Sequence, residues 1–402
     1  ILCPESPYPP AGGGALRSAA LIEYLAGHYR LDAVVFRQPE TRNPEDTRLA
    51  EMVHRLLVVN LPAHGRHPMA RAARNVGRLL RGIPPLTDRF AGFEAEMAPW
   101  VAAERYELAV IEHFWCAPYA GTFRPVAERL VLDLHNVESA LHEGCADTEE
   151  WPLALIHRRF AAVCRRLERR WLPAFSRILA ASAEDARRVE AIAPGSAASV
   201  YPNTIPEIPA PRRREEEVIA FSANLGYHPN MNAVRWFRRE VWPLLRPRFP
   251  RLIWRLIGKN PEAVRRWVGG DPGIEATGPV GDAIAELARA KVAVVPLLAG
   301  SGTRVKILEA WAAGTPVVST TVGAEGLGGE PGHHLLVADS APAFADAVAT
   351  LLEEDGRRRS IADKARSLYC ATYTWPAGWR LLDALGVGTP GGTARARTEP
   401  AI

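Results

Sequence analysis

Cysteine is scarce in this chain of 402 residues, and the few cysteines present do not form pairs. There are five, an odd number, widely scattered and without a Cys-x-x-Cys pattern. This arrangement favours neither a disulfide framework nor a zinc site, and we expect no metal among the functional groups. A chain without a disulfide framework is typical of a reducing compartment, so the predicted location is the cytoplasm.

Long apolar runs, a secretory signal and a strong excess of one charge are also missing. No apolar stretch reaches the length that crosses a bilayer. The net charge is only +4, and four lysines accompany forty-five arginines, an imbalance that genomic base composition can produce. Since no helix-turn-helix, RNA-recognition or zinc-finger pattern accompanies the arginines, we expect no nucleic-acid partner.

Composition and length indicate a soluble α/β protein with more than one domain. Hydrophobic residues make up 48% and charged residues 23% of the chain, as in ordinary globular proteins. A chain of 402 residues is too long for one ordinary core. Strand-like runs alternate with amphipathic helical stretches, which is typical of doubly wound parallel sheets.

The same alternation predicts where the chain divides. We expect an N-terminal domain over residues 1–205, a linker rich in Pro, Arg and Glu over 206–217, and a C-terminal domain over 218–374. A last helix is expected over 375–385, and the Gly-, Thr-, Pro- and Arg-rich tail over 386–402 is expected to be disordered. Strands are predicted at 33–36, 56–61, 108–112, 130–134, 177–181, 218–223, 252–257, 291–296 and 316–320, and helices at 15–29, 183–192, 232–245, 261–268, 282–290, 341–353, 356–369 and 375–385.

The most informative segment lies between two of these strands. The run from Gly300 to Glu309 (Gly-Ser-Gly-Thr-Arg-Val-Lys-Ile-Leu-Glu) follows a buried strand and opens a helix. Such a loop presents backbone N–H groups to an anion, and Arg304 and Lys306 add charge-assisted hydrogen bonds. Glu309 lies more than a turn deeper, where the natural partner of its carboxylate is a ribose diol. A nucleotide site is therefore predicted, and the alternative is a loop that only turns the chain.

The sequence around these residues resembles that of a known protein family. The segment from about 221 to 373 resembles the C-terminal domain of retaining, nucleotide-sugar-dependent glycosyltransferases of the GT-B fold. The resembling motifs are Phe221 to Asn230, Leu256 to Gly258, Ala276 to Val280, Gly302 to Gly314 and Val322 to Leu327, with weaker ones at Gly12 to Gly14, Leu132 to Glu138 and Tyr201 to Asn203. The resemblance implies two Rossmann-like domains facing across a cleft, with the donor in the C-terminal domain and the acceptor in the N-terminal one.

The nucleotide hypothesis and the resemblance together give candidate site residues. Arg304 and Lys306 are expected to stabilise the leaving diphosphate, and His135 follows a strand after which relatives place a histidine near the transferred sugar. The expected donor-binding residues are Ser301, Gly302, Thr303, Glu309, Asn224, Glu325, Gly13 and Gly14. Ser301 stands where many relatives carry a glutamate, and Asn224 where many carry an arginine. His113 and Asn203 are expected to be structural by default.

The implied function is transfer of a sugar, with retention and without a metal or other cofactor, from a nucleotide-diphosphate sugar to a glycan, a lipid-linked sugar or a small molecule, as in polysaccharide biosynthesis. Two alternatives stay open: a nucleotide-sugar 2-epimerase of the same fold and a catalytically silent nucleotide-sugar-binding protein. Arginine stripes at 71–81 and 158–169 are expected to be solvated helix faces. Their alternative role is peripheral contact with anionic lipid at the inner face of the membrane.

Overall fold

Two parallel β-sheets dominate the structure, a computed structural model that describes residues 1–10, 12–63, 68–299 and 304–389. The first sheet contains β1 (Leu2–Cys3), β2 (Asp32–Arg37), β3 (Arg55–Asn60), β4 (Tyr106–Glu112), β5 (Ala127–Leu134), β6 (Arg177–Ala180) and β7 (Ala198–Val200). The second contains β8 (Glu216–Ser222), β9 (Ile253–Ile257), β10 (Ile274–Gly278), β11 (Ala290–Val295), β12 (Val317–Ser319) and β13 (Leu336–Val337). We call residues 1–205 the N-terminal half and the residues from 206 onward the C-terminal half.

Helices connect the strands in both halves. The N-terminal half contains α1 (Gly13–His28), α2 (Arg48–Met52), α3 (Pro68–Arg81), α4 (Pro85–Phe90), α5 (Glu94–Ala102), α6 (Ala120–Phe123), α7 (Glu138–Thr148), α8 (Leu153–Trp171) and α9 (Ala183–Ile192). The C-terminal half contains α10 (His228–Trp236), α11 (Trp242–Leu245), α12 (Arg265–Val268), α13 (Ala283–Leu287), α14 (Val305–Ala312), α15 (Thr321–Ala324), α16 (Ala341–Glu353), α17 (Asp355–Thr372) and α18 (Trp375–Ala384). Among the described residues, no helix is both long and apolar enough to span a membrane.

The order of the strands confirms the predicted fold class, an α/β protein with two doubly wound, Rossmann-like sheets. The first sheet has the order β3-β2-β1-β4-β5-β6-β7 and the second β10-β9-β8-β11-β12-β13. The order reverses between β1 and β4 in the first sheet and between β8 and β11 in the second. Ligands of open α/β sheets bind beyond the carboxyl ends of the strands at such reversal points. The two reversal points therefore indicate where a site should be sought.

The sequence pattern located most of the long elements but missed several short ones. Strand β10 was not predicted because most of its side chains are partly or fully exposed, so no apolar run marks it. Helix α10 begins at His228 rather than at 232, since Pro229 occupies its first turn, where proline needs no N–H partner. The predicted loop at 323–328 begins within α15, which Thr320 caps by accepting a hydrogen bond from the N–H of Gly323 at 2.9 Å.

Two segments of the chain, residue 205 and residues 373–375, lie side by side at the boundary of the N-terminal half. Ile205 and Thr374 form an isolated parallel bridge. The N–H of Ile205 donates to the carbonyl of Tyr373 at 3.0 Å, and the N–H of Trp375 donates to the carbonyl of Ile205 at 3.0 Å. Residues 205 and 373–375 are thus hydrogen-bonded side by side where the chain leaves one half and returns to it.

The last helix packs against the N-terminal half. The indole N–H of Trp379 on α18 donates to the carbonyl of Ala20 at 2.9 Å, and the hydroxyl of Tyr24 donates to Asp383 at 2.7 Å. Residues 386 and 387, which begin the tail expected to be disordered, accept hydrogen bonds from Arg129 and Tyr29 of the N-terminal half. Ordered structure therefore continues past residue 385, and the tail from 390 to 402 lies outside the described residues.

Candidate active site

Helix α14 follows β11, at the reversal point of the second sheet, and carries three of the predicted site residues. Arg304 precedes its first residue with an extended backbone, and Lys306 and Glu309 lie three residues apart on one half-buried face. The loop residues Ser301, Gly302 and Thr303, which the sequence predicts to bind the donor, lie outside the described residues. The described part of the site therefore begins at Arg304.

Lys306 is held by a polar residue and an aromatic ring. Its ammonium group donates to Oδ1 of Asn230 at 2.6 Å and lies 4.8 Å from the ring centroid of Phe221. Burial, and then the charge of Arg304, lowers the pKa of Lys306 to about 7. Asn230 is itself fixed, because its amide nitrogen donates to the carbonyl of Asn224 at 2.8 Å. The contacts with Asn230 and Phe221 thus orient Lys306. Among the described contacts, no carboxylate pairs directly with its ammonium group.

Glu309 faces the end of the neighbouring strand β8. Its Oε2 accepts a hydrogen bond from the hydroxyl of Ser222 at 3.2 Å. Burial raises the pKa of Glu309 to about 7, although Ser222 and the charge of Lys306 act in the opposite direction. A buried carboxylate with one neutral donor has capacity for further hydrogen bonds from a ligand.

Arg304 and Glu325, both predicted to contact the donor, also make contacts within the protein. Arg304 is buried, its Nη2 donates to the carbonyl of Val322 at 3.3 Å, and burial lowers its pKa. Oε1 of Glu325 lies 2.5 Å from Nη2 of Arg188 on α9, and Arg188 also pairs with Asp185 at 3.0 Å. Glu325 therefore links the two halves across the cleft rather than pointing freely into it.

The glycines after β1 lie against the start of α14. Gly12 has a φ of 104°, which favours glycine, and α1 begins at the next residue. A Cβ built on Gly13 would lie 3.1 Å from Cγ2 of Val305. The amino ends of α1 and α14, one from each half, therefore meet at this point. Both present backbone N–H groups and the positive ends of helix dipoles, which suits an anion.

His135 follows β5 and is oriented by a buried ion pair. Its Nε2 lies 3.1 Å from Oδ2 of Asp133, and Asp133 also binds the guanidinium of Arg17 at 2.6 Å. A Cβ built on Gly14 would lie 3.8 Å from the other ring nitrogen, Nδ1. Burial lowers the pKa of His135, so the neutral imidazole is the stable form. Nε2 is thus the ring nitrogen beside the carboxylate, and Nδ1 is the nitrogen on the side of Gly14 at the amino end of α1.

The weaker histidine and asparagine candidates have structural contacts. The ring of His113 lies 3.6 Å, centroid to centroid, from the ring of His135 and stacks on Trp115 at 4.2 Å. Oδ1 of Asn203 accepts a hydrogen bond from Arg17 at 3.2 Å. Both contacts agree with the default expectation for these residues.

Asn224 lies in the loop after β8 and is turned toward its own loop. Its Oδ1 accepts hydrogen bonds from the N–H of Gly226 at 3.0 Å and from the amide of Asn260 at 2.7 Å. Gly258, at the end of β9, has a φ of 135°, and a Cβ there would lie 2.1 Å from the carbonyl oxygen of Ala223. The loops after β8 and β9 are therefore in close contact. Asn224 affects the position of Lys306 only indirectly, because its carbonyl accepts a hydrogen bond from Asn230, which in turn contacts Lys306.

Sequence reasoning missed four residues that position the predicted ones: Asn230, Ser222, Asp133 and Arg17. All four lie inside or beside motifs that the sequence had singled out. The pairs Asn230–Lys306, Ser222–Glu309 and Arg17–Asp133 join residues that are distant in the chain, whereas Asp133 lies only two residues before His135. A group formed by Glu112, Asp133 and His135 has ligand atoms within 4.8 Å of one another, a spacing that suits a metal ion. Arg17 already neutralises Asp133, and the hydroxyl of Ser18 donates to Oε2 of Glu112 at 2.9 Å, whereas Oε1 of Glu112 is buried without a hydrogen-bond partner among the described residues.

Comparisons with known proteins bear on the family and the fold. Residues 216–354 match the model of the family glycosyl transferases group 1, and no curated protein matches the chain in sequence. HepE of Anabaena, in complex with UDP and glucose, is similar with a TM-score of 0.63 and 17% identity over 96% of this chain and 98% of that chain. Sucrose-phosphate synthase from Thermosynechococcus elongatus is similar with a TM-score of 0.72 and 16% identity over 96% and 97%. The E. coli structure described as trehalose-6-phosphate bound with UDP-2-fluoro glucose has a TM-score of 0.66 and 14% identity over 96% and 98%. The predicted resemblance to GT-B glycosyltransferases is confirmed.

Proposed function

We propose that this chain, a GT-B protein whose C-terminal half matches glycosyl transferases group 1, transfers a sugar from a nucleotide-diphosphate sugar to an acceptor. The observation that carries the proposal is the pair Lys306 and Glu309 on α14, placed where the amino ends of α1 and α14 meet. Burial shifts the pKa values of both groups to about 7, from opposite directions. Opposed pKa shifts of neighbouring groups, here at the carboxyl ends of the strands, are typical of functional sites.

The charges of the site residues indicate where each part of the donor binds. The diphosphate lies at the amino ends of the two helices, where Lys306 and Arg304 supply the positive charge that its oxygens need. The ribose diol donates hydrogen bonds to Glu309, whose second partner is Ser222. The match of residues 216–354 to a glycosyltransferase family supports this placement of the donor in the C-terminal half. HepE, in complex with UDP and glucose, has the same fold.

The transfer step rests on positioning and on stabilising the leaving group. The bond between the anomeric carbon and the phosphate oxygen breaks, and the acceptor hydroxyl forms the new bond on the same face of the sugar. The proton of that hydroxyl passes to an oxygen of the departing diphosphate. Arg304, Lys306 and the amino end of α14 stabilise the charge that develops on the diphosphate, so we propose that the reaction proceeds without a metal ion or other cofactor.

In the proposed reaction, His135 positions the transferred sugar. Its Nε2 lies 3.1 Å from Asp133, and its ring lies beside Gly14 at the amino end of α1, where we place the transferred sugar. Because burial keeps the imidazole neutral, His135 does not act as a cationic acid at this step. We further propose the domain limits that the sequence predicts, with the acceptor bound by residues 1–205 and the donor by residues 218–374.

The acceptor is either a glycan, a small molecule or a lipid-linked sugar. The lipid-linked acceptor is favoured by exposed apolar side chains near the start of α8, since Trp151 is 82% and Leu155 61% exposed. The arginine stripes support it less, because Arg78 pairs with Asp88 at 2.8 Å and Arg165 with Glu143 at 2.5 Å. We therefore propose that, with a lipid-linked acceptor, the exposed side chains of Trp151 and Leu155 make the peripheral contact with lipid.

A thermal-shift screen against nucleotide-diphosphate sugars tests the donor site directly. A ligand that binds only the folded state raises the melting temperature by mass action, so one donor should stand out for the wild type. That shift should vanish in Lys306→Ala and Glu309→Ala and persist in Lys364→Ala, which replaces an exposed lysine on α17. A donor that shifts wild type and Lys306→Ala equally would refute the proposed site.

Product analysis separates the proposed transferase from its two alternatives. With the identified donor and a panel of acceptors, the transferase forms a glycosylated acceptor and free nucleoside diphosphate. A 2-epimerase would instead convert the donor alone, and a silent binding protein would bind the donor and form no product. The anomeric configuration of the new bond, read by nuclear magnetic resonance, tests retention.

A further inference from the structure

A second group of titratable side chains lies between the two halves, apart from the proposed donor contacts. It consists of His142 and Cys145 on α7, Glu149 after the end of that helix, His157 on α8 and His228 at the first residue of α10. We call these five residues the histidine–cysteine cluster. Helices α7 and α8 belong to the N-terminal half and α10 to the C-terminal half, so the cluster spans the interface between them.

The spacing of the cluster matches a metal site. Ligand atoms from Cys145, His157 and His228 all lie within 4.8 Å of one another. In addition, Nδ1 of His142 lies 3.0 Å from Nδ1 of His157, a separation at which two nitrogens share either a proton or a metal ion. Tetrahedral zinc sites have Zn–N bonds of about 2.0 Å and Zn–S bonds of about 2.3 Å, so their ligand atoms lie about 3.3–3.8 Å apart.

His228 has the environment of a metal-ligating histidine. Its Nε2 lies 2.5 Å from Oε1 of Glu149, and Glu149 is held by the amide of Asn232 at 2.8 Å. The other ring nitrogen, Nδ1, is buried and has no hydrogen-bond partner among the residues that the structure describes. Histidines that bind metals almost always direct one ring nitrogen at a carboxylate or carbonyl and the other at the ion. The Glu149–His228 pair reproduces this arrangement.

The protonation of the other members suits ligands. Burial and the neighbouring His157 lower the pKa of His142 to about 4, and burial lowers the pKa of His157, so both imidazoles are neutral. Burial raises the pKa of the Cys145 thiol to about 11, so without a cation the thiol keeps its proton. A metal ion displaces that proton and binds the thiolate, which makes metal binding release a proton.

We propose that Cys145, His157 and His228 bind a zinc ion that joins α7 and α8 to α10. A thiolate with imidazoles selects Zn²⁺ over Mg²⁺ or Ca²⁺, which prefer oxygen ligands. The ion is structural and touches neither the donor nor the reacting atoms. The expectation of no zinc site rested on the absence of closely spaced cysteines, whereas these ligands come from three helices of two different halves.

Metal analysis of the full-length protein tests the site. The chain is stripped with a chelator, reloaded with Zn²⁺ and desalted, and bound zinc is measured by mass spectrometry beside a Mg²⁺-treated sample. We expect one Zn²⁺ per chain and no retained Mg²⁺. Loading with Co²⁺ should give the visible bands of a tetrahedral site and a thiolate-to-cobalt charge-transfer band. A wild-type protein that retains no Zn²⁺ would overturn the proposal without any variant.

Variants identify the ligands. Cys145→Ser should lose the charge-transfer band, and His228→Ala should lose stoichiometric zinc, whereas Cys370→Ser and His333→Ala, both at exposed positions, should behave like the wild type. Glu149→Gln should weaken zinc binding by about 10–100-fold, as removal of an outer-sphere partner does. A charge-transfer band that survives in Cys145→Ser and disappears in Cys370→Ser would assign the metal to an adventitious surface thiol and overturn the proposal. Circular dichroism confirms that each variant is folded.

Discussion

The pH dependence of donor binding should report directly on Lys306 and Glu309. In the free protein both groups have a pKa of about 7, Lys306 lowered and Glu309 raised by burial. A diphosphate requires the protonated ammonium, so above pH 7 binding must take up a proton and the affinity falls as the pH rises. A ribose diol donates to the ionised carboxylate, so below pH 7 binding must release a proton and the affinity falls as the pH falls. The expected profile of affinity is bell-shaped, with its maximum near neutrality.

The steepness of each limb follows from linkage. Each pH unit beyond the pKa of the free group costs about tenfold in affinity, or about 1.4 kcal/mol, until the pKa of the complex is reached. Isothermal titration calorimetry with a nucleotide-diphosphate sugar measures this, because the phosphodiester groups of such a donor do not titrate near neutrality. Buffers with different ionisation enthalpies then give the number of protons exchanged.

Two variants assign the limbs to residues. Lys306→Arg keeps its charge throughout, so the high-pH limb should disappear. Glu309→Gln cannot ionise, so the low-pH limb should disappear at some cost in affinity. Lys364→Arg, on the exposed face of α17, should reproduce the wild-type profile. A wild-type affinity that stays flat through neutrality, or a high-pH limb that persists in Lys306→Arg, would refute the assignment.

Three further outcomes are expected. Gly13→Val should weaken donor binding by more than tenfold, because its side chain would enter the space beside Val305; calorimetry should detect this, and unaltered affinity would contradict it. Asn230→Ala removes the acceptor of a charged hydrogen bond from Lys306, so we expect a loss of about 1.5–3 kcal/mol in donor affinity, while wild-type affinity would show that this bond is dispensable. Trp151→Ser should lower co-sedimentation with liposomes if the acceptor is lipid-linked, and equal sedimentation of wild type and variant would remove lipid contact through this residue.

The fold was predictable from the sequence where burial leaves a strong pattern. Strands such as β11, with the sequence Ala-Lys-Val-Ala-Val-Val, are apolar because both faces are covered, and they were placed within a residue or two. Strand β10 carries the sequence Ile-Glu-Ala-Thr-Gly and is mostly exposed, so its place at the edge of the sheet leaves no comparable signal. The start of α10 was placed four residues too late, at 232, although Pro229 lies in the first turn of the helix, where proline is favoured.

The candidate site was predictable only for residues that are close in the chain. Arg304, Lys306 and Glu309 share one short run, so their common face follows from helix geometry. The contact of Asn230 with Lys306, and that of Arg17 with Asp133, depends on the order of strands in each sheet, which no local pattern contains. For the same reason the sequence could not show that Glu325 would bind Arg188 across the cleft.

The bridge between Ile205 and Thr374 has a mechanical consequence. Residues 205 and 373–375 are hydrogen-bonded side by side, and the following helix α18 packs on the N-terminal half. A proteolytic cut within residues 206–215 would therefore break the covalent connection between the halves but leave them held together by these non-covalent contacts.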